Sequence, residues 1–198
     1  MRTRMLAILI CTVFMGVSLS FAVDPNFEPF YIYSEKGEMH NNFAPSGWMG
    51  DFKDLFYSEG WPNGSHSGAT CIKVVYKAGA SLGMGWVGMY WQDPPGNWGN
   101  MAKGGFDLTG AKKLSFWIRG EKGGEIINEI FVGGIKGEYA DTCKVSIGPI
   151  DLTKEWQKFD ITLEGMDLSH VIGGFGWATN LVNNPGGCTF YLDDIRYE

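Results

Sequence analysis

The chain is poor in the residues that catalytic and metal sites use most often. It has three histidines and four cysteines among 198 residues. His40, His66 and His170 are far apart in predicted loops, and the sequence contains no nucleophile elbow or histidine-containing zinc motif. The cysteines are also spaced too widely for a metal-binding cluster. The scarcity and the wide spacing of these residues argue against a triad hydrolase and against a zinc centre.

Long hydrophobic runs are equally scarce, and the one clear run covers residues 5–17. It follows the basic residues Arg2 and Arg4 and precedes a small-x-small pattern that ends at Ala22. This arrangement is typical of a secretory signal peptide, and the run is short for a membrane span. We therefore expect a signal in residues 1–22, a single domain in residues 23–198, export to an extracellular or periplasmic space, and no membrane insertion.

Basic residues are outnumbered, with 16 Lys and Arg against 22 Asp and Glu and a net charge of −6. Without Arg2 and Arg4 the net charge becomes −8. Nucleic acids and anionic membranes attract clusters of Lys and Arg, so an acidic chain predicts neither as a partner. Beyond residue 22 three cysteines remain, Cys71, Cys143 and Cys188, which allow one disulfide in three possible pairings or simply small buried thiols.

No segment sustains a helical period, and short alternating segments ended by glycine-rich turns recur instead. Nine strands are predicted, at residues 30–33, 70–77, 84–92, 113–119, 125–132, 144–147, 156–163, 171–177 and 189–197. This pattern predicts an all-β chain folded as an antiparallel β-sandwich or jelly roll.

Three motifs carry a resemblance to a known group of domains. They are residues 105–120, residues 151–159 and the closing segment Phe190-Tyr-Leu-Asp-Asp-Ile-Arg-Tyr197. Together they resemble galactose-binding-like β-sandwiches, among them family 11 carbohydrate-binding modules and domains of the complex I intermediate-associated type. The resemblance implies the same sandwich fold and a polysaccharide or oligosaccharide as the partner.

The resemblance also implies a structural calcium ion, held by one early carboxylate and one near the C-terminus. The matching positions are Glu35 and Asp194, and Glu38 or Asp51 could stand in for Glu35. Under the other interpretation, Asp194 and its neighbour only cap the turn contacts of the last strand.

The densest aromatic segment, residues 85–100, supplies most of the candidate binding residues. Strand alternation predicts that Val87, Met89 and Trp91 face the core. The opposite face then carries three candidates for contact with a sugar, with a fourth on the following loop: Trp86, Tyr90, Gln92 and Trp98. Aromatic rings stack on sugar rings, and amides bond hydroxyl groups. A bulge would exchange the two faces and expose Trp91.

Trp117 and Arg119 are two further candidates on a different strand, whose residues Leu114, Phe116 and Ile118 are predicted to face inward. If their side of the sheet is concave, Trp117 stacks on the sugar and Arg119 donates forked hydrogen bonds. Under the alternative interpretation Trp117 lies beneath a loop and Arg119 pairs with a carboxylate.

Two other functions stay open at the level of sequence. A jelly-roll glycoside hydrolase needs two facing carboxylates, and Glu125 and Glu129 would share a face of one strand. A cell-surface or assembly protein could use the same aromatic rings to contact another protein. Trp48 and Trp61 lie in predicted early loops and are interpreted as packing anchors. The favoured function is non-catalytic carbohydrate binding.

Overall fold

The structure is a computed structural model that describes residues 27–198. Thirteen strands and one short 3-10 helix follow each other in this order: β1 (Phe30–Tyr33), β2 (Ala44–Gly50), the helix (Phe52–Asp54), β3 (Leu55–Trp61), β4 (Cys71–Tyr76), β5 (Trp86–Gln92), β6 (Lys113–Gly120), β7 (Ile126–Ile127), β8 (Glu129–Gly133), β9 (Lys144–Ile147), β10 (Ile150–Asp151), β11 (Gln157–Thr162), β12 (Gly173–Asn180) and β13 (Cys188–Tyr197). The predicted signal peptide lies outside the described residues.

Two antiparallel sheets form the sandwich, so the predicted all-β architecture is confirmed. The six-stranded sheet has the order β11-β6-β13-β4-β3, and β1 also pairs with β13. The five-stranded sheet has the order β2-β5-β12-β8-β9. A small ladder of β10 and β7 stands beside them. Strands β2 and β3 are the sheet edges on one side of the sandwich.

The core fills the space between the sheets with the residues that strand alternation predicted. Leu114, Phe116 and Ile118 of β6 are fully buried in it, as are Val87 and Met89 of β5. Trp91 is also in the core, at 1% exposure, so no bulge exchanges the two faces of β5. Burial of this apolar surface is the main favourable contribution to folding.

The sequence prediction missed three strands, β2, β3 and the two-residue β10, and merged two others. Residues 44–50 and 55–61 were expected to be loops but form β2 and β3, and Pro45 and three glycines hide their alternation. The predicted strand over residues 125–132 is divided at Asn128 into β7 and β8. The error matters for function because β2 and β3 carry Trp48 and Leu55, which line a groove at the surface.

Cys71, Cys143 and Cys188 are buried and none of them forms a disulfide. Burial raises the pKa of the Cys71 and Cys143 thiols to about 11 and that of Cys188 to about 12. The interpretation of these residues as small buried hydrophobic groups therefore describes this structure. Within residues 27–198 no helix is long and apolar enough to cross a membrane.

Candidate functional site

The predicted binding residues lie on two opposite outer surfaces of the sandwich. Trp86, Tyr90 and Gln92 point away from the core on the five-stranded sheet, whereas Trp117 and Arg119 point away from it on the six-stranded sheet. The hydrophobic core separates the two surfaces. These residues therefore cannot all contact one sugar chain, and each surface has to be considered separately.

On the five-stranded sheet, Gln92 and Tyr90 are buried, so the prediction that they are open to a ligand is wrong. Gln92 has no exposed surface and Tyr90 is 8% exposed. The Tyr90 hydroxyl donates to the Gly133 carbonyl at 3.0 Å, and its ring packs against Phe131 and Ile135. Strand alternation assigned the face correctly, but loops fold over this end of the sheet and close it.

Gln92 instead positions the loop that carries Trp98. Its Nε2 donates to the Asn97 carbonyl at 2.7 Å, and its Oε1 accepts from the Ser46 hydroxyl at 2.9 Å. Ser46 Oγ in turn accepts from the Gly96 amide at 2.9 Å. The network ties the loop after β5 to strand β2 on the neighbouring edge. Buried hydrogen bonds of this kind fix a loop in one conformation because opening it would leave polar groups unpaired.

Trp98 stands at the rim, as predicted, with 42% of its surface exposed. Its ring meets the Tyr90 ring edge-on at a centroid distance of 5.8 Å. Gly47 makes room beneath this contact, because a Cβ there would lie 2.6 Å from the Tyr90 Cβ. Trp98 therefore rests on protein on one side and presents the rest of its ring to solvent.

Trp98 forms one wall of a groove at the side of the sandwich where β2 and β3 run as edge strands. This aromatic groove has a volume of about 530 Å³ and is lined by Ser46, Trp48, Phe52, Leu55 and Trp98. Trp48 is 40% exposed and Phe52 is 41% exposed. The lining combines apolar side chains with one hydroxyl and contains no charged side chain. Such a surface fits a neutral ligand with flat apolar faces.

Trp48 and Phe52 are held in place by the folded core. The Trp48 ring meets Tyr57 edge-on at 6.1 Å, and Tyr57 in turn meets the buried Trp91 at 5.9 Å. Phe52 begins the 3-10 helix directly after Asp51. The buried Asp51 carboxylate accepts backbone hydrogen bonds from Leu82 at 2.8 Å and from Gly85 at 2.7 Å. The exposed rings therefore project from a rigid base.

Sequence reasoning missed Trp48 and Phe52 as site residues. Trp48 was interpreted as a packing anchor in a loop, and the structure places it on an edge strand with a large exposed fraction. The only sequence signal was a tryptophan between glycines, which close backbone packing explains equally well. Trp86, at the far end of β5, is partly exposed and is not among the residues that line the groove.

The outer surface of the six-stranded sheet is closed around Trp117 and Arg119. The His66 ring stacks on Trp117 with centroids 3.7 Å apart and planes inclined by 16°. The Arg119 guanidinium lies 3.9 Å from the Tyr191 ring centroid and 5.2 Å from that of Trp156. The protein itself therefore occupies the stacking positions that a sugar would need. Trp117 lies beneath a loop, as the alternative interpretation stated, and Arg119 pairs with aromatic rings.

Three carboxylates hold this loop, which covers residues 62–70. Glu35 accepts from the Ala69 amide at 2.5 Å and from the Thr70 amide at 3.0 Å. Asp193 accepts from the His66 amide at 2.8 Å, and Asp194 contacts His66 Nδ1 at 2.8 Å. Burial raises the pKa of Asp193 to about 6, although backbone hydrogen bonds oppose the shift.

The predicted calcium ligands, Glu35 and Asp194, are both members of this set. Each oxygen of the two carboxylates already has a protein partner, because Asp194 Oδ1 accepts from Ser67 and Glu35 Oε2 accepts from Thr70. Within residues 27–198 no group of three or more His, Cys, Asp or Glu side chains is arranged to hold a metal. As it stands, the arrangement holds the loop through hydrogen bonds that Glu35 and Asp194 accept from its backbone amides and side chains. The calcium ion stays a prediction that rests on the resemblance alone.

The candidate catalytic pair does not share a strand face. Glu125 precedes β7 and is 7% exposed, whereas Glu129 begins β8 and is partly exposed on the outer side of the five-stranded sheet. The prediction that the two project from one strand is wrong because the chain breaks its alternation at Asn128.

No protein-family model matches the chain, and no curated protein matches its sequence. Its fold does resemble solved structures. The crystal structure of a family 30 carbohydrate-binding module has a TM-score of 0.59 and 15% identity, over 87% of this chain and 88% of that one. The family 30 module of a cellulosomal cellulase of Clostridium thermocellum has the same TM-score and identity, over 86% of this chain and 97% of that one. At this identity the likeness shows the fold alone, and it confirms the predicted resemblance to carbohydrate-binding β-sandwiches at that level.

Proposed function

We propose that the protein binds neutral polysaccharides or oligosaccharides in the aromatic groove. The observation that carries the proposal is the set of three large rings, Trp48, Phe52 and Trp98, which stay about 40% exposed around one groove. Exposed rings of this size are costly in water and are typical of binding surfaces. The fold that the chain shares with carbohydrate-binding modules supports the same function.

Binding is proposed to occur without hydrolysis and after export. None of the five residues that line the groove carries a carboxylate, whereas enzymatic hydrolysis of a glycosidic bond uses two carboxylates. The signal-like pattern of residues 1–22 supports export.

The test compares binding by the wild-type protein with binding by variants of both surfaces. Affinity electrophoresis against β-glucan, xylan and mannan, together with a glycan array, identifies the ligand. Trp98 buries roughly 200 Å² when fully covered, so its exposed 42% offers roughly 80 Å² to a sugar. Covering most of that area contributes about 1.5 kcal/mol, and Trp98→Ala or Trp48→Ala should weaken binding about tenfold.

Trp117→Ala is the matched control, since it also removes a tryptophan from a sheet surface. It should leave the affinity unchanged at temperatures where the variant is folded, because Trp117 lies on the opposite sheet beneath His66. Absence of binding to every glycan by the folded wild-type protein would overturn the proposal. Loss of binding in Trp117→Ala alone would place the site on the other sheet.

We also propose that calcium be tested as a structural ion, because the resemblance implies it. Thermal unfolding is followed with added Ca²⁺ and with a chelator, for the wild type and for Asp194→Asn. A rise in Tm with Ca²⁺ that the variant lacks supports the ion. An identical Tm under both conditions contradicts it and leaves the hydrogen-bonded clasp as the role of Glu35 and Asp194.

A further inference from the structure

The loop of residues 62–70 contains a chemically reactive pair of residues, Asn63-Gly64. Asn63 is the only asparagine in the sequence that is directly followed by glycine. The backbone nitrogen of the residue after an asparagine can attack the asparagine Cγ, and a side chain on that residue hinders the approach. Glycine has no Cβ and leaves the approach open. The sequence therefore singles out one position for spontaneous deamidation.

The structure leaves both partners of this reaction free. Asn63 and Gly64 are exposed and lie between β3 and β4, outside regular secondary structure. Within the described part of the chain, no residue forms a hydrogen bond with the Asn63 side chain or with the Gly64 amide. The two groups can therefore meet without breaking a hydrogen bond of the fold. Exposed loop tips of this kind are also where local motion is least restrained.

The Gly64 carbonyl, in contrast, anchors one end of the loop. It accepts a hydrogen bond from Trp156 Nε1 at 3.1 Å and a longer one from Arg119 Nη2 at 3.5 Å. The other end is held separately, because Asp193 accepts from the His66 amide at 2.8 Å. A backbone change just before Gly64 should therefore release the first end of the loop and leave the second in place.

We propose that Asn63 is a modification site of the folded protein, at which spontaneous deamidation releases the Gly64 end of the loop. The Gly64 nitrogen gives up its proton to solvent and forms a bond to Asn63 Cγ. The bond from Cγ to the side-chain nitrogen breaks, and ammonia leaves with a proton from solvent. Water then opens the resulting succinimide ring, at the side-chain carbonyl to give aspartate or at the backbone carbonyl to give isoaspartate. One water is consumed for each ammonia released.

The products change the loop in ways that can be measured. Each adds one negative charge to a chain whose net charge is −6. In isoaspartate the main chain runs through Cβ and Cγ, so one more carbon separates the Cα of residue 63 from the Gly64 nitrogen. That insertion moves the Gly64 carbonyl away from Trp156, whereas His66 stays stacked on Trp117. The loop is not among the residues that line the aromatic groove, so the proposal does not depend on sugar binding.

The test is incubation of the purified, folded protein in buffers of increasing pH, followed by peptide mass spectrometry. Asn63 should gain the mass difference between an oxygen and an NH group, and an isoaspartyl methyltransferase should label the same peptide. The conversion should accelerate with pH, because the attacking nitrogen must lose its proton. Asn100 is the internal control: it is also exposed, but Met101 follows it, so it should stay intact.

Asn63→Ser is the matched variant, because it removes the carboxamide and keeps a short polar side chain at the same exposed position. After incubation it should show no new acidic form in ion-exchange chromatography, whereas Asn63→Asp provides the reference for the aspartyl product. In the converted wild type, the NMR signal of the Trp156 indole N–H should shift and that of the His66 amide should not. Incubated Asn63→Ser should show neither change.

Two results would overturn the proposal. Protein unfolded in urea reports the intrinsic reactivity of the pair. Persistence of intact Asn63 in the folded protein, under conditions that convert it in urea, would show that the fold blocks the reaction. A converted protein whose Trp156 signal is unchanged would show that the modification does not release the Gly64 end of the loop.

Discussion

The buried amide of Gln92 offers a direct test of the distinction between a residue that positions the site and one that contacts the ligand. The sequence predicted a side chain open to a sugar, whereas in the structure Gln92 has no exposed surface. Gln92→Met removes both hydrogen bonds and nearly preserves the length of the side chain. We expect the variant to lose stability, and to lose affinity only through a looser Trp98 loop.

The magnitude follows from the partners of Gln92. Two hydrogen bonds are lost, at 2.7 Å to Asn97 O and at 2.9 Å from Ser46 Oγ, and each contributes about 1 kcal/mol. Ser46 can still donate to Ala44 O at 3.3 Å, so only the Asn97 carbonyl is left without its donor. The unpaired Asn97 carbonyl costs at most about 1 kcal/mol more. The free energy of unfolding should therefore fall by about 2–3 kcal/mol.

Urea denaturation measures this change directly. With a slope of about 2 kcal/mol per molar, the midpoint should fall by about 1 M. Hydrogen exchange should also accelerate at Gly96, whose amide is bonded to Ser46. A variant that is as stable as the wild type but no longer binds glycan would refute the reasoning, because it would show that Gln92 contacts the ligand.

Three further predictions concern stability. Burial raises the pKa of Asp193 to about 6, so its contribution to stability is complete below about pH 4 and is lost as the pH rises through 6. Asp193→Asn should therefore flatten the dependence of Tm on pH in that window. An unchanged profile would show that Asp193 does not cause this dependence. Tyr197→Phe removes the hydrogen bond to the Gly174 carbonyl at 2.5 Å in the core and should cost about 1–2 kcal/mol in urea denaturation, so an unchanged midpoint would count against that bond. The thiols of Cys71, Cys143 and Cys188 should resist alkylation at neutral pH until urea unfolds the protein, as peptide mass spectrometry can show; labelling of any one in the native state would disprove its burial.

Most of the fold was predictable from local pattern. Alternation in residues 113–119 placed Leu114, Phe116 and Ile118 in the core, and alternation in residues 86–92 assigned both faces of β5 correctly. Strands β2 and β3 were not predictable in this way. Proline and glycine interrupt their pattern, so local alternation does not reveal them. The identity of β2 as a strand also depends on pairing with β5, which is distant in sequence.

The candidate site was predictable only in part. Trp98 was identified because a proline-rich turn precedes it, and the structure places it in the groove. Trp48 and Phe52 were missed because exposure at a sheet edge depends on which strand lies beside it. Trp117 was selected for its outward direction, but a loop from residues 62–70 supplies the His66 ring that covers it.

By itself, the sequence determined the two-sheet architecture, the direction of the side chains along β5 and β6, and the acidic net charge. These follow from the period of two along a strand and from composition, which are local properties. Tertiary structure alone decided which outward-facing rings remain exposed. That outcome depends on loops distant in sequence, which close the surfaces around Tyr90 and Trp117 and leave the groove of Trp48, Phe52 and Trp98 open.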